Sequence, residues 1–227
     1  MSPDAHWLNA TWPFVRTHLP SPPARVVEIG CGSLGGFVPA LAREGYSAVG
    51  IDPAAPEGRD YHRIEFERYA PPQPVHAVVA CTSLHHVNDL EEVVDRVSAA
   101  LLPSGVLVVV EWAWERFDEA TARWCFARLG STALASEPGW LHRRRDEWAA
   151  SGQPWDAYWQ DWASTAHLHA GEEILSALDA RFDRVVGGEG PFFFPELDGV
   201  AKQDEQGAID AGRLQALCIL YAGVVRA

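Results

Sequence analysis

The sequence predicts a doubly wound α/β fold with a mostly parallel sheet and a tryptophan-rich helical insertion, and three observations carry that prediction. Short, almost continuously apolar runs alternate with helix-period segments between Arg25 and Glu111, the pattern of strands buried on both faces. The first of these runs leads directly into a glycine-rich turn that opens a helix. After Ala113 the texture changes: Trp112, Trp114, Trp124, Trp140, Trp148, Trp155, Trp159 and Trp162 crowd into one stretch with few β-branched residues.

The elements follow in order. Pro3–Leu19 has loosely helical spacing (Trp7, Leu8, Trp12, Val15) and is stopped by Pro20, Pro22 and Pro23. Arg25–Ile29 reads as a buried strand, Gly35–Glu44 as a helix, and Ser47–Ile51 as a second strand. Ile64–Phe66 is read as the third strand and Ala77–Cys81 as the fourth, followed by a helix over Leu90–Leu101 and a fifth strand over Gly105–Glu111. Two or three helices are expected in the insertion. Ile174–Ala180 then reads as a helix, a strand begins at Arg184–Val186, and Leu214–Val225 holds the last strand, a pair suited to an antiparallel hairpin at the sheet edge. The right-handed crossover rule makes the doubly wound sheet the natural assembly. The expected organisation is one domain over 1–227: an N-terminal helix in 1–23, a ligand-binding core in 24–112, a helical lid in 113–170 and the end of the sheet in 171–227.

Composition limits the functions. The 227 residues are 48% hydrophobic and 22% charged, so the chain can bury a core without staples. Acidic residues outnumber basic ones 31 to 18, a formal charge of -13, which opposes binding to a phosphate backbone. The run Arg143-Arg144-Arg145 is flanked by Asp146 and Glu147 and reads as a solvated helix face. Cys31, Cys81, Cys125 and Cys218 lack metal-ligand spacing and read as buried thiols of a reducing compartment. With no signal-peptide pattern and no long apolar run, the expectation is a cytoplasmic protein without membrane partners.

The strongest local signal is Val26-Val27-Glu28-Ile29-Gly30-Cys31-Gly32-Ser33-Leu34-Gly35-Gly36. Gly30 and Gly32 let the backbone bend tightly and approach a ligand, while amides at the helix start suit a carboxylate or phosphate. Gly30, Gly32 and Gly35 fit the G-x-G-x-x-G spacing, which is a weak signal by itself. The second strand ends at Ile51-Asp52-Pro53, with an acid twenty residues beyond Gly32 where it can accept hydrogen bonds from a ribose. Together these features point to a nucleoside ligand.

Which nucleoside is indicated by a resemblance. Glu28-Ile29-Gly30-Cys31-Gly32 resembles the first motif of class I S-adenosylmethionine-dependent methyltransferases, and Ile51-Asp52-Pro53 their second. Ala80-Cys81-Thr82-Ser83-Leu84-His85-His86-Val87 is similar to their segment after strand four, and Leu101-Leu102-Pro103-Ser104-Gly105-Val106-Leu107 to the turn before strand five. The resemblance covers about residues 24 to 112. It departs at Leu34, where a third glycine is usual, at Ser104 in the pre-strand turn, and at His76, where an aspartate is common. It implies a Rossmann-like sheet of seven strands with the last antiparallel, S-adenosyl-L-methionine as cofactor, and methyl transfer to a small molecule. By the same resemblance Glu28 and the Gly30, Cys31 and Gly32 backbone would hold the amino-acid end of the cofactor. Asp52 would hold the ribose, Pro53 would pack on the adenine, and Glu65 or Glu67, with Glu65 favoured and Phe66 beside it, would meet the adenine amine. Thr82, Ser83 and Leu84 would line the methionine side.

Methyl transfer needs alignment above all, and a hydroxyl acceptor must also lose a proton. His85 and His86, at the ligand end of strand four, are candidates for that base, with a helix cap or pocket wall as the simpler role. Glu111 can act as base, orient substrate or cap a helix. Trp112, Trp114 and Tyr158 are the candidate acceptor-binding residues in a lid whose other rings build its core. His167-x-His169 has no third ligand nearby, so no metal is expected. The alternatives are a protein that binds S-adenosylmethionine without transferring its methyl and an NAD-dependent oxidoreductase. The histidine and pre-strand-five motifs disfavour the latter. Oligomeric state stays open.

Overall fold

A computed structural model describes residues 2–131 and 138–226. Helix α1 (Pro3–His18) is capped by Ser2, whose hydroxyl accepts from the Ala5 amide. Strand β1 (Arg25–Ile29) follows, then α2 (Val38–Arg43), β2 (Ser47–Ile51), β3 (Tyr61–His62), β4 (Val75–Cys81), α3 (Leu90–Ala100) and β5 (Leu101–Trp112). The insertion forms α4 (Glu119–Phe126), α5 (Trp140–Ser151) and α6 (Trp155–Thr165). It returns through α7 (Gly171–Arg181) to β6 (Phe182–Gly190), α8 (Lys202–Asp210) and β7 (Cys218–Val225).

The seven strands form one sheet in the order β3-β2-β1-β4-β5-β7-β6. The pairs among β1 to β5 are parallel; β7 runs antiparallel to both β5 and β6, so the last strand alone is reversed. The strands read as unbroken apolar runs because successive residues serve different layers. Val26, Ala77, Val79, Val108 and Val110 face Val15 of α1 and Phe37, Val38 and Leu41 around α2. Val27, Ile29, Val78, Leu107 and Val109 face Val93, Val94 and Val97 of α3 and Ile174 and Leu178 of α7. A third core, built from the insertion's rings with Phe193 and Leu217, caps the end of β5.

Four expectations are corrected. The third strand lies at Tyr61–His62, paired with Gly50 and Ile51, while Phe66–Arg68 is a 3-10 turn. Ile64 and Phe66 both pack on the α3-side core, but from a turn, which mimics the two-residue period of a strand. Helix α2 starts at Val38 because Gly35 and Gly36 hold φ +80 and +54, outside the helical region. The final pair of strands is not a hairpin: a Phe192–Phe194 segment and α8 intervene. The basic run also splits. Arg144 is buried above the rings of Trp140 and Trp162 and bonded to Glu147, whereas Arg143 is exposed.

Candidate functional site

Because β1, β2, β4 and β5 are parallel, their C-terminal ends open on one side, and the loops that follow them build the site. The turn after β1 lies against the segment after β4 so closely that a methyl group at Gly30 would overlap Ser83 Cβ. At Gly32 (φ +60) the same methyl would meet nothing within 4 Å, so this stretch of backbone is open to a ligand. Asp52 secures the turn from β2: one oxygen accepts from the Gly32 amide (2.9 Å), the other from the Ala54 amide (2.6 Å). Glu28 lies beneath, 1% exposed, and both its oxygens accept from the Phe37 amide (2.9 and 2.8 Å). Burial nevertheless pushes its carboxyl up to about 8, because no cation faces it and Asp52 adds negative charge.

After β4 the chain enters Thr82 with φ +48, a rare conformation for a β-branched residue, placed at the junction of the site. The next residues converge on Glu111 at the end of β5. Its fully buried carboxylate accepts from the amides of Ser83 (3.0 Å), Leu84 (2.8 Å) and Trp112 (2.7 Å) and pairs with His85 Nδ1 at 2.5 Å. Burial opposes that charge, but the His85 pairing and the amides outweigh it and hold the pKa below the ordinary value. Since Nδ1 donates to Glu111, a neutral His85 carries its lone pair on Nε2. The His86 ring lies 4.1 Å from the His85 ring, tilted 43° to it, and chiefly desolvation pushes its pKa down to about 4.

Two adjoining cavities result. One of about 310 Å³ is walled by Gly30, Asp52, Pro53, Glu65, Phe66, Glu67, Thr82, Ser83 and His86. The other, about 500 Å³, is walled by Glu28, Gly30, Cys31, Gly32, Thr82, His85 and His86, by Trp112 and Trp140, and by two distant segments: Asp4, Trp7 and Leu8 of α1 and Phe192, Pro195 and Glu196. Gly30, Thr82 and His86 belong to both, so the cavities meet there. The first has the size and polarity of a nucleoside site and the second those of a site for a further small molecule.

Most residues expected at the site line one cavity or the other; Leu84, Trp114, Tyr158 and Glu111 do not. Leu84 is buried in the α3-side core and offers only its amide, to Glu111. Trp114 donates from Nε1 to the His169 carbonyl and accepts from Trp159 at its own carbonyl, which fixes it inside the insertion's core. The Tyr158 hydroxyl donates to Glu147 between α6 and α5. Glu111, 0% exposed, lines neither cavity and is joined to the larger one through its pairing with His85. The four cysteines are buried and free, and burial pushes the Cys31 and Cys218 thiols up to about 12. His169 bonds the Val87 carbonyl, and no group of three metal ligands occurs among the described residues. The contributions of α1, Trp140 and Phe192–Glu196 were absent from the sequence reading. The apolar run Phe192-Phe193-Phe194 is a local trace of the last of these, and it carries no location.

A family model described as a methyltransferase domain matches residues 6–178. Ubiquinone biosynthesis O-methyltransferases of two Rhodopseudomonas palustris strains are each 29% identical over 139 residues, covering 55% of this chain; the match spans about half the length of those curated relatives (51%). Among solved structures, an S-adenosylmethionine-dependent methyltransferase from Mesorhizobium loti is similar with TM-score 0.57 and 21% identity, over 96% of this chain and 99% of that one. N-methyltransferase NodS from Bradyrhizobium japonicum, in complex with S-adenosyl-l-homocysteine, is similar with TM-score 0.56 and 16% identity, over 100% of this chain and 89% of that one. At these identities the structural likeness concerns the fold. No helix among the described residues is long and apolar enough to cross a membrane.

Proposed function

The chain belongs to the class I S-adenosylmethionine-dependent methyltransferases, and from that premise we propose that it methylates a small molecule held in the larger cavity, with His85 as general base. The observation that carries the reading is the His85–Glu111 pair: a buried carboxylate fixes one imidazole nitrogen and leaves the other available on a wall shared with the glycine turn.

The residues present fit the cofactor. Glu28 is a buried acid without a countercharge beside the turn, an environment that an ammonium group would complete. Asp52, Pro53, Phe66 and Glu65 give the smaller cavity acceptors for a ribose and an adenine amine together with an apolar wall. When bound, S-adenosylmethionine supplies a methyl group on a sulfonium, which needs alignment more than activation. Gly30, Cys31 and Gly32 would hold its amino-acid end, and Thr82 and Ser83 would border its methionine arm.

His85 would receive the acceptor's proton at Nε2 as the acceptor attacks. Glu111 would stabilise the imidazolium that results, the role of an orienting carboxylate behind a catalytic histidine. His86, held neutral by its lowered pKa, places no positive charge at the junction where a cationic cofactor must bind. Trp112 and Trp140 would supply the apolar surface for the acceptor.

Calorimetry with S-adenosylhomocysteine tests the reading. Wild type should bind, and Asp52→Ala should bind about 10–100-fold more weakly, the loss of charge-assisted hydrogen bonds worth about 1.5–3 kcal/mol. Once an acceptor is in hand, His85→Gln should lower kcat while leaving S-adenosylhomocysteine affinity unchanged. Equal binding by wild type and Asp52→Ala would overturn the ribose assignment, and an unchanged kcat would overturn the base.

A further inference from the structure

We infer that the acceptor of this enzyme is an amphipathic amine, recognised as its ammonium form by Asp4 and Glu196 and by the aromatic wall beside them. This deepens the function proposed above and rests on it. The acceptor part of the larger cavity is built by segments remote from the glycine turn. Its charged side chains there are Asp4 of α1 and Glu196, and neither lysine nor arginine lines the cavity. A carboxylate or phosphate acceptor would find no partner in such a wall, whereas a cation finds two.

The rest of the wall suits the same ligand. Trp7 packs edge-on to Phe192 at 5.6 Å, Phe192 stacks on Trp112 at 5.7 Å, and Trp112 meets Trp140 edge-on at 5.6 Å. Aromatic faces attract cations as well as apolar bodies, and more strongly where water is excluded. The wall also connects to the chemistry, because Trp112 packs edge-on against His85 at 5.7 Å.

Glu196 has the properties of an acid that awaits a cation. Desolvation pushes its pKa to about 7. The Leu141 amide opposes this through a hydrogen bond, Asp4 of α1 adds to it, and Arg143 of α5 reduces it from a distance. Binding an ammonium favours the ionised carboxyl, so affinity should rise as pH climbs through about 7 and fall below it, while the ligand itself stays protonated throughout.

The experiment is calorimetric titration of protein saturated with S-adenosylhomocysteine by three probes of one shape: tyramine (ammonium), tyrosol (neutral) and 4-hydroxyphenylacetate (anion). Tyramine should bind about tenfold more tightly than tyrosol, the equivalent of about 1.4 kcal/mol, and 4-hydroxyphenylacetate most weakly. Glu196→Gln, which keeps an oxygen for the Leu141 amide, should reduce the preference several-fold and remove its pH dependence near 7 while binding S-adenosylhomocysteine as wild type does. That last measurement is also the control for folding. If S-adenosylhomocysteine binds but tyramine does not, or binds no better than tyrosol, or Glu196→Gln keeps the preference, the amine inference is overturned and the methyltransferase reading stands. If S-adenosylhomocysteine fails to bind wild type, both fall.

Discussion

Glu28 and Glu111 are both fully buried carboxylates at the ends of strands on either side of β4, and their surroundings drive their titrations in opposite directions. Glu28 has amide donors but no cation, and its folded pKa of about 8 lies above the ordinary 4.5. Its contribution to stability is therefore complete below about pH 4.5 and is lost as pH rises through about 8. Glu111 has His85, and its lowered pKa makes its contribution complete above the ordinary glutamate value and lost as pH falls through the folded one. Glu28→Gln should thus flatten the alkaline decline and make the protein at least as stable as wild type at pH 8 in urea unfolding. The same substitution should weaken S-adenosylhomocysteine binding about tenfold or more, by the loss of a charged partner for its amino group. A variant that is both less stable at pH 8 and normal in binding would show that Glu28 serves only the fold. Glu28, Gly30 and Asp52 were legible in the sequence because their surroundings are local: one strand end, one turn, and one acid twenty residues on. The sequence offers three roles for Glu111, since its four donors come from two strand ends that only the sheet brings together.

The segment from Phe192 to Phe194 shows how an element can be set by a single side chain. Glu205, on α8, accepts from the amides of Phe192 (2.7 Å), Phe193 (3.2 Å) and Phe194 (2.6 Å), which tightens a run with no ladder of its own. Phe192 then receives Trp7 Nε1 at its carbonyl (3.2 Å), and the cavity wall closes between the two ends of the chain. Glu205→Ala should cost about 1–3 kcal/mol, by leaving buried amides unpaired. It should also raise KM for the acceptor while S-adenosylhomocysteine affinity holds; a parallel loss of both would mean that the segment supports the whole site. This element escaped the sequence reading because its apolar run has neither helical nor strand periodicity and its acid lies on a separate helix. Strand β3 failed for the opposite reason: Ile64 and Phe66 show strand-like alternation but use it within a turn, while the two paired residues are Tyr61 and His62.

For the molecule as a whole, the formal charge of -13 favours the approach of a cation. In stopped-flow tryptophan fluorescence, the association rate of tyramine should fall several-fold between about 20 and about 200 mM salt, while that of tyrosol should hardly change, because only the former is steered by a field that salt screens. Equal salt dependence would remove the steering argument. The doubly wound sheet, the glycine turn after its first strand and the acid that secures that turn are legible in the sequence alone. Apolar runs at strand length, glycines at positive φ and an acid at a strand end are local physical requirements, and each can be read within about twenty residues. The larger cavity, by contrast, exists only once the chain has folded. Its walls are α1, the tip of β5, the start of α5 and the segment after β6. These meet because burying the rings of the α1-side core and of the insertion's core folds the chain's ends over one side of the sheet. No local pattern in Trp7, Trp140 or Glu196 records that meeting.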